Sequence, residues 1–168
     1  MRLRLNFDRI TNIALLATSV WIAYALYTLP TAPPRPIAET YKAGEVVSIQ
    51  NLDLATADST LLLFVRSTCT FCTQSMPFYS SLAHDMRARR STPVHIVVVT
   101  TDDHQTASAY LAAYAVQVDE IVPGMAPPPK VTGTPTLVLT SRGGVVQKAW
   151  IGKLDESRER EVRKAVGL

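Results

Sequence analysis

The sequence predicts an α/β domain with a mixed β-sheet and helices on both of its faces. Between residues 61 and 122, apolar runs of strand length alternate with segments of helical periodicity, which is typical of βαβ units. Further along, two strand-like runs flank a Ser-Arg-Gly-Gly turn, and this pattern predicts an antiparallel hairpin. The first βαβ unit is expected to cross over right-handed. The chain has 168 residues, so one domain and an appendage account for its length.

The N-terminus is the expected appendage. Residues 1–9 are basic, and the stretch 10–29 is apolar and carries no charge. A stretch of this length can cross a bilayer as a helix, so we expect a transmembrane anchor there, with residues 1–9 on the cytoplasmic side. A cleaved signal peptide is one alternative, although no clear cleavage site follows the stretch, and a buried core helix is another, although the stretch is terminal and has no amphipathic stripe. The proline-rich residues 30–41 are expected to form a semi-rigid spacer, and the folded domain is expected over 42–168.

The central element is a strand followed by a helix. After a short strand expected at 45–49, residues 61–65 have the length and composition of a buried strand. Residues 73–90 then place apolar side chains at helical spacing. The only two cysteines, Cys69 and Cys72, therefore fall at the start of a predicted helix. The apolar side chains at helical spacing are Met76, Tyr79, Leu82, Ala83 and Met86.

The position of the cysteines points to redox chemistry. At a helix start, unpaired backbone N–H groups and the positive end of the helix dipole stabilise a thiolate. Cys69 is therefore the candidate nucleophile, and Cys72 is the candidate resolving thiol that attacks a mixed disulfide at Cys69. A structural disulfide is an alternative, but a bridge across so short a loop restricts the unfolded chain little. Half a zinc site is another, but zinc needs four ligands, and His84, His95 and His104 form no compact pair.

The second half of the chain continues the alternation of strands and helices. A nearly continuous apolar run over 93–100 predicts a second buried strand of the parallel type. Asp102 and Asp103 follow it and supply N-cap chemistry for a helix over 104–115, with a functional carboxylate pair as the alternative. The remaining predicted elements are a short strand near 118–122, a proline-rich loop over 123–129, hairpin strands at 136–140 and 145–151, and a last helix over 154–166 that begins near Asp155.

Charge and motif spacing argue against several other functions. The formal net charge is +3, and most of it lies in residues 1–9, so no nucleic-acid-binding face is expected. A peroxidase of the peroxiredoxin class would carry the motif P-x-x-x-[ST]-x-x-C, whereas Leu62 and Arg66 occupy those two positions before Cys69. A copper-delivery protein would need a wider cysteine spacing and a suitably placed histidine, and neither is evident.

Two proline-containing motifs complete a resemblance to a known family. Pro77 follows the second cysteine by five residues, and Gly-Thr-Pro-Thr at 133–136 precedes a predicted strand. Together with the C-x-x-C motif, they make residues 42–168 resemble the thioredoxin superfamily, and the N-terminal segment makes the chain most similar to the membrane-tethered, TlpA-like thiol-disulfide oxidoreductases. The resemblance implies a thioredoxin-like mixed sheet flanked by helices. It also implies a cis Thr134–Pro135 peptide that lies against Cys69.

The resemblance carries an expected function. It implies a thiol-disulfide oxidoreductase on the periplasmic or extracytoplasmic side of the cytoplasmic membrane, which reduces protein disulfides, including those of apocytochromes during cytochrome c maturation. The implied partners are client proteins, a membrane electron-supplying thiol oxidoreductase and the lipid bilayer, with no nucleic acid, cofactor or metal. The alternatives are a disulfide-forming oxidant, a peroxidase-like redoxin and a non-catalytic membrane-tethered scaffold. The expected site residues are Cys69 and Cys72 as catalytic thiols, supported by Thr70, Phe71, Thr134 and Pro135.

The chain departs from the family at the positions that would hold an acid. Thioredoxin itself has a buried acid six residues before its first cysteine, where this chain has Leu63. TlpA-like relatives often have one three residues after the second cysteine, where this chain has Ser75. We therefore expect water or a group of the partner to take the proton from Cys72.

Overall fold

The computed structural model describes residues 2–28, 40–89, 94–128 and 130–168. The chain divides into two units, residues 1–35 and 36–168. The first unit contains one helix, α1 (Arg2–Thr28). In the part of the chain that the structure describes, no helix has both the length and the apolar character that crossing a membrane requires. The anchor expected at 10–29 ends outside the described residues, as does most of the spacer expected at 30–41, and both stay predictions.

The second unit is built on one mixed sheet. Its strands are β1 (Ser59–Phe64), β2 (Val94–Val99), β3 (Glu120–Val122), β4 (Thr136–Ser141) and β5 (Val146–Ile151), in the spatial order β3-β2-β1-β4-β5. The neighbours β1 and β2, and β2 and β3, run parallel. Strand β4 pairs antiparallel with both β1 and β5, as the predicted hairpin requires.

Among the described residues of this unit, three α-helices accompany the sheet, and a side chain caps each of them. They are α2 (Thr70–Ala88), α3 (His104–Ala113) and α4 (Glu156–Ala165). Asp103 caps α3 by accepting a hydrogen bond from the Thr106 N–H at 2.9 Å, and Asp155 caps α4 in the same way. Helix α2 begins earlier than the predicted residue 73 because Cys69 is its N-cap. Pro77 lies inside α2, as expected from the resemblance.

The helices contribute to the core on one face of the sheet. Alternate residues of β1 point to opposite faces, so that Leu61 and Leu63 belong to one apolar cluster and Leu62 and Phe64 to the other. The first cluster contains residues of α2, α3 and α4, whereas the described residues of the second come from the strands and from loops. The expectation of helices on both faces is therefore wrong for the described residues. Two successive right-handed crossovers in the same direction place α2 and α3 on one face.

The short strand expected at 45–49 is not formed. Val46 makes a single isolated bridge to Val145, and the Val47 N–H donates to the Gly144 carbonyl at 2.9 Å. The Glu45 carbonyl also accepts the Val146 N–H at 2.7 Å, but the opposite chain turns at Gly143 and Gly144, with φ of 76° and 79°, so the pairing ends after this bridge. The segment nevertheless buries apolar side chains against the second face. The buried side chains of this region are Tyr41, Val47, Ile49 and Leu54.

Candidate active site

The two cysteines lie where the chain leaves β1 and enters α2. Cys69 has extended backbone angles, φ −90° and ψ 114°, as is usual for an N-cap. Its N–H donates to the Arg66 carbonyl at 3.2 Å, which closes a turn before the helix. Its own carbonyl accepts the Thr73 N–H at 3.0 Å as a first helical hydrogen bond. The strand and the turn thus fix the Cys69 thiol at the helix start, as the sequence predicted.

The Cys69 sulfur contacts two backbone groups. It accepts a hydrogen bond from the Cys72 N–H, with 3.4 Å between the Cys72 nitrogen and Sγ, and it donates to the Thr134 carbonyl at 3.3 Å. The first contact stabilises the thiolate, because an N–H donor at a helix start favours negative charge on its acceptor. The second orients the thiol toward the loop that carries Thr134. The residue is partly accessible to solvent and is a free thiol in this structure.

The Cys72 thiol has the opposite environment. Cys72 belongs to the first turn of α2, and its side chain is fully buried in the first apolar cluster, which also contains Met76. Burial raises the pKa of Cys72 to about 12, because a thiolate loses its hydration there, and the neighbouring Cys69 sulfur raises it further. At neutral pH Cys72 is therefore a protonated, shielded thiol.

The pKa of Cys69 lies below its ordinary value. Partial burial of the thiol alone would raise it, but hydrogen bonding by the side chains of Thr134 and Cys72 and by the backbone N–H groups of Cys72 and Phe71 outweighs that effect. The groups that lower this pKa are neutral. The two thiols are therefore tuned in opposite directions, which fits an exposed nucleophile and a buried resolving thiol.

The loop opposite the cysteines contains the predicted cis peptide. The Thr134–Pro135 bond is cis, and Thr134 lies against Cys69, so both parts of that prediction are confirmed. The loop is anchored on each side: the Pro135 carbonyl accepts the Gly152 N–H at 2.7 Å, and the Thr136 hydroxyl donates to the Gly133 carbonyl at 2.7 Å. These bonds tie the loop to the end of β5 and to itself.

The two residues between the cysteines face solvent. Thr70 is exposed, and Phe71 leaves 59% of its surface accessible although it is a large apolar side chain. The Phe71 carbonyl accepts the Ser75 hydroxyl at 2.8 Å, so the backbone beneath the ring is held while the ring itself is free to touch another molecule. The segment between the cysteines thus leaves one apolar ring accessible to solvent.

The two positions where the resemblance would place an acid contain no acid here. Leu63 is buried in β1, and the buried Ser75 hydroxyl is engaged with the Phe71 carbonyl. Neither residue can accept a proton from Cys72 as a carboxylate would. Among the described residues, no three His, Cys, Asp or Glu side chains converge in a way that could hold a metal ion.

A cavity of about 240 Å³ opens beside the site. It lies at the carboxyl ends of β1 and β2, next to Thr134, and threonine hydroxyls and apolar side chains share its described lining. Of the described residues that line it, Arg66 alone is charged. Because Thr134 both lines this cavity and contacts the Cys69 sulfur, the cavity adjoins the candidate site.

One residue of the site was not identified from the sequence. The two aspartates after β2 were expected to cap the next helix, and Asp103 does so. Asp102 instead accepts the Ser67 N–H at 2.7 Å, across 35 residues, in the loop that leads to Cys69. The only signal in the sequence was the adjacent pair of carboxylates, which does not reveal which of them turns toward the cysteines.

Comparison with known proteins supports the fold. No family model and no curated protein matches the chain. A Chlorobium tepidum structure, assigned as a thiol:disulfide interchange protein DsbE, is 25% identical with a TM-score of 0.52, over 67% of this chain and 83% of that one. The thioredoxin domain of a Bacteroides vulgatus thiol-disulfide oxidoreductase is 14% identical with a TM-score of 0.54, over 76% of this chain and 100% of that one.

A third structure gives the same result at lower coverage. A secreted Mycobacterium tuberculosis disulfide oxidoreductase is 16% identical with a TM-score of 0.50, over 65% of this chain and 80% of that one. The chain therefore has a thioredoxin-like α/β fold, and solved structures of similar fold include thiol-disulfide oxidoreductases.

Proposed function

We propose that this protein is a thiol-disulfide oxidoreductase whose active group is the Cys69 and Cys72 dithiol. One observation carries the proposal: a partly accessible, acidified Cys69 thiol caps α2 while the buried Cys72 thiol lies one turn further in. This arrangement gives one thiol to attack a partner and a second to release it. The Chlorobium tepidum structure, assigned as a thiol:disulfide interchange protein, supports the same chemistry.

The first step is attack by the Cys69 thiolate on a disulfide of a client protein. A bond forms between the Cys69 sulfur and one client sulfur, the client's S–S bond breaks, and the other client sulfur leaves as a thiolate that takes a proton from water. The Cys72 N–H stabilises the attacking thiolate before the reaction. The backbone at Thr134 and the exposed Phe71 ring are placed to contact the client chain beside its sulfur.

The second step is resolution by Cys72. The Cys72 thiol loses a proton and its sulfur bonds to the Cys69 sulfur. The bond between Cys69 and the client breaks, and the client sulfur that was held there leaves as a thiolate. Two electrons have then passed from the dithiol to the client, and a dithiol donor must reduce the new bond between Cys69 and Cys72 to complete the cycle. Because Leu63 and Ser75 occupy the acid positions of relatives, water or a client group accepts the proton of Cys72.

We propose the reducing direction for this cycle. The groups that lower the pKa of Cys69 are neutral, with Thr70 and Phe71 between the cysteines, so the thiolate is only moderately stabilised. A moderately stabilised thiolate leaves the disulfide comparatively stable and the dithiol comparatively reducing. Protein disulfides are the proposed substrates, and those of apocytochromes in cytochrome c maturation are one class to test. The disulfide-forming oxidant is the second candidate, because the pKa of Cys69 is nevertheless lowered.

We also propose that residues 10–29 anchor the domain to the outer side of the cytoplasmic membrane, near a membrane thiol oxidoreductase that supplies electrons. The support is the uncharged stretch itself and the arginines that precede it. In addition, the Thr18 hydroxyl donates to the carbonyls of Ala14 and Leu15, so it needs no water as a partner. Carbonate extraction of membranes, with protease access to the folded domain from outside, tests this location; a protein released by carbonate contradicts it.

The function is tested by turnover of a protein disulfide with the full chain and a dithiol donor. The native protein should reduce a model disulfide protein catalytically, Cys69→Ser should be inactive, and Cys72→Ser should accumulate a mixed disulfide at Cys69. Thr68→Ser, which changes the same loop without touching either sulfur, is the matched control and should retain activity. A Cys69→Ser variant as active as the native protein would refute the proposal and leave a non-catalytic scaffold as the better account.

A further inference from the structure

We propose that Asp102 is a positioning residue of the dithiol, which holds the loop before Cys69 so that the thiol caps α2. Its catalytic consequence rests on the proposed oxidoreductase function. The positioning itself does not depend on that function, because it is measured by the ionisation of one thiol and the hydrogen exchange of one backbone amide.

The contact between Asp102 and the loop is a strong one. The carboxylate Oδ2 of Asp102 accepts the Ser67 N–H with 2.7 Å between nitrogen and oxygen. Hydrogen bonds from a backbone N–H to a carboxylate are short and about twice as strong as those between neutral groups. This one joins two loops that are 35 residues apart in the sequence, at the carboxyl ends of β1 and β2.

Asp102 can act as an anchor because its own backbone is held on both sides. Its N–H donates to the Thr100 hydroxyl at 3.1 Å, and its carbonyl accepts the Gly124 N–H at 2.9 Å. Thr100 is only 3% exposed, and its carbonyl in turn accepts the Met125 N–H at 2.9 Å. The carboxylate therefore projects from a loop that is tied to β2 and to the segment after β3.

The bond acts on the turn that presents Cys69. Ser67 lies between Arg66, whose carbonyl accepts the Cys69 N–H at 3.2 Å, and the cysteine itself. Fixing the Ser67 amide therefore restrains the turn on which the Cys69 side chain depends for its contact with the Cys72 N–H. Without the carboxylate, the turn gains freedom, the N-cap geometry is populated less, and the Cys69 thiolate loses part of its stabilisation.

The adjacent aspartate provides a matched control. Asp103 is also an acid of the same loop, but its oxygens accept the N–H and the hydroxyl of Thr106 and cap α3. Replacing Asp103 removes a carboxylate and a helix cap one residue away without removing the bond to Ser67. A general loss of stability or of local negative charge would thus affect both variants, whereas a positioning effect is confined to Asp102.

The experiment compares Asp102→Ala, Asp102→Asn and Asp103→Ala in the reduced full chain. The readouts are the pH profile of Cys69 alkylation and the hydrogen exchange of the Ser67 amide. The asparagine carbonyl can still accept the Ser67 N–H, so it separates the hydrogen bond from the charge. We expect Asp102→Ala to raise the midpoint of the alkylation profile by about half a pH unit, which is an about threefold smaller thiolate population below the midpoint. Its Ser67 amide should exchange faster.

The other variants decide between positioning and its rivals. Asp102→Asn should keep the midpoint of the alkylation profile within about 0.2 pH unit of the native protein, and Asp103→Ala should leave the Cys69 profile unchanged even if it unfolds more easily. The proposal is overturned if Asp102→Ala keeps the native profile and the native Ser67 exchange, or if all three variants shift the profile equally. These readouts need no client, so a protein that fails to reduce disulfides would refute the proposed function and leave this inference to its own test.

Discussion

The two thiols should differ in reactivity by an amount that follows from their environments. We would measure the alkylation of each cysteine by iodoacetamide at pH 7 in the reduced Cys72→Ser and Cys69→Ser variants, and then in the native chain. Each single-cysteine variant isolates one sulfur. The native chain checks that neither substitution has created the difference.

The expected ratio comes from two opposing effects. The pKa of Cys72 rises from 9.0 to about 12, so its thiolate population at pH 7 falls about a thousandfold relative to an ordinary cysteine. A more basic thiolate is intrinsically more nucleophilic. With a Brønsted coefficient of about 0.4 to 0.5, the rate constant of the Cys72 thiolate rises about 15- to 30-fold, which offsets part of that loss. The smaller thiolate population is the larger effect, so Cys72 should react about 50-fold more slowly than an ordinary cysteine. Cys69, whose pKa is lowered, should react faster than an ordinary one.

Mass spectrometry of the modified peptides over a range of pH is the assay. The rate at Cys72 should keep rising about tenfold per pH unit through pH 10, whereas the rate at Cys69 should level off below that pH. Burial of Cys72, which is 0% exposed, can only widen the gap. Equal rates at pH 7, or faster modification of Cys72, would refute the assignment of nucleophile and resolving thiol.

Three further predictions test other parts of the account. Gly144→Ala places a Cβ 2.3 Å from the Val47 carbonyl oxygen at a positive φ, so urea denaturation should show a loss of about 2 to 4 kcal/mol in the free energy of unfolding. Gly143→Ala, with open space around its Cβ, should lose only about 1 to 2 kcal/mol, and equal losses would contradict the close approach. Phe71→Ala should change the free energy of unfolding by less than about 0.5 kcal/mol yet raise the KM for a protein disulfide, and an unchanged KM would remove the ring from client contact. Because folding raises the pKa of Cys72, the unfolded state loses that proton first, and the stability of the reduced protein should fall as pH rises from 9.0 toward about 12. The fall should be weaker in Cys72→Ala, and a stability that rises over this range would contradict the pKa shift.

The parts of the site that depend on local sequence could be predicted from it. A strand, a cysteine in an N-cap position and an apolar periodicity are short-range patterns, so the start of α2 and the roles expected for Cys69 and Cys72 followed from residues 61–90. The approach of Thr134 to Cys69 spans 65 residues and came from the family resemblance instead. No local pattern specifies a contact across that distance.

The role of Asp102, which was not predicted, and the strand expected at 45–49, which is not formed, have the same physical origin. Asp102 and Asp103 have identical intrinsic preferences for capping, and only the packing of the loops decides that Asp102 bonds to Ser67. Residues 45–49 have a strand-like composition, but pairing also requires an extended partner, which the turn at Gly143 and Gly144 does not offer. Both outcomes depend on what lies opposite in space, which the periodicity of one segment does not reveal.

The reduction potential of the Cys69 and Cys72 couple tests the central claim most directly. Equilibration of the full chain with glutathione or dithiothreitol buffers, read out by alkylation of the remaining thiols, measures it. The account predicts a reversible two-electron couple near thioredoxin's value of about −270 mV, as suits a donor of electrons to protein disulfides. A value near about −120 mV, typical of a strong oxidant, or the absence of any reversible disulfide between the two cysteines, would contradict it.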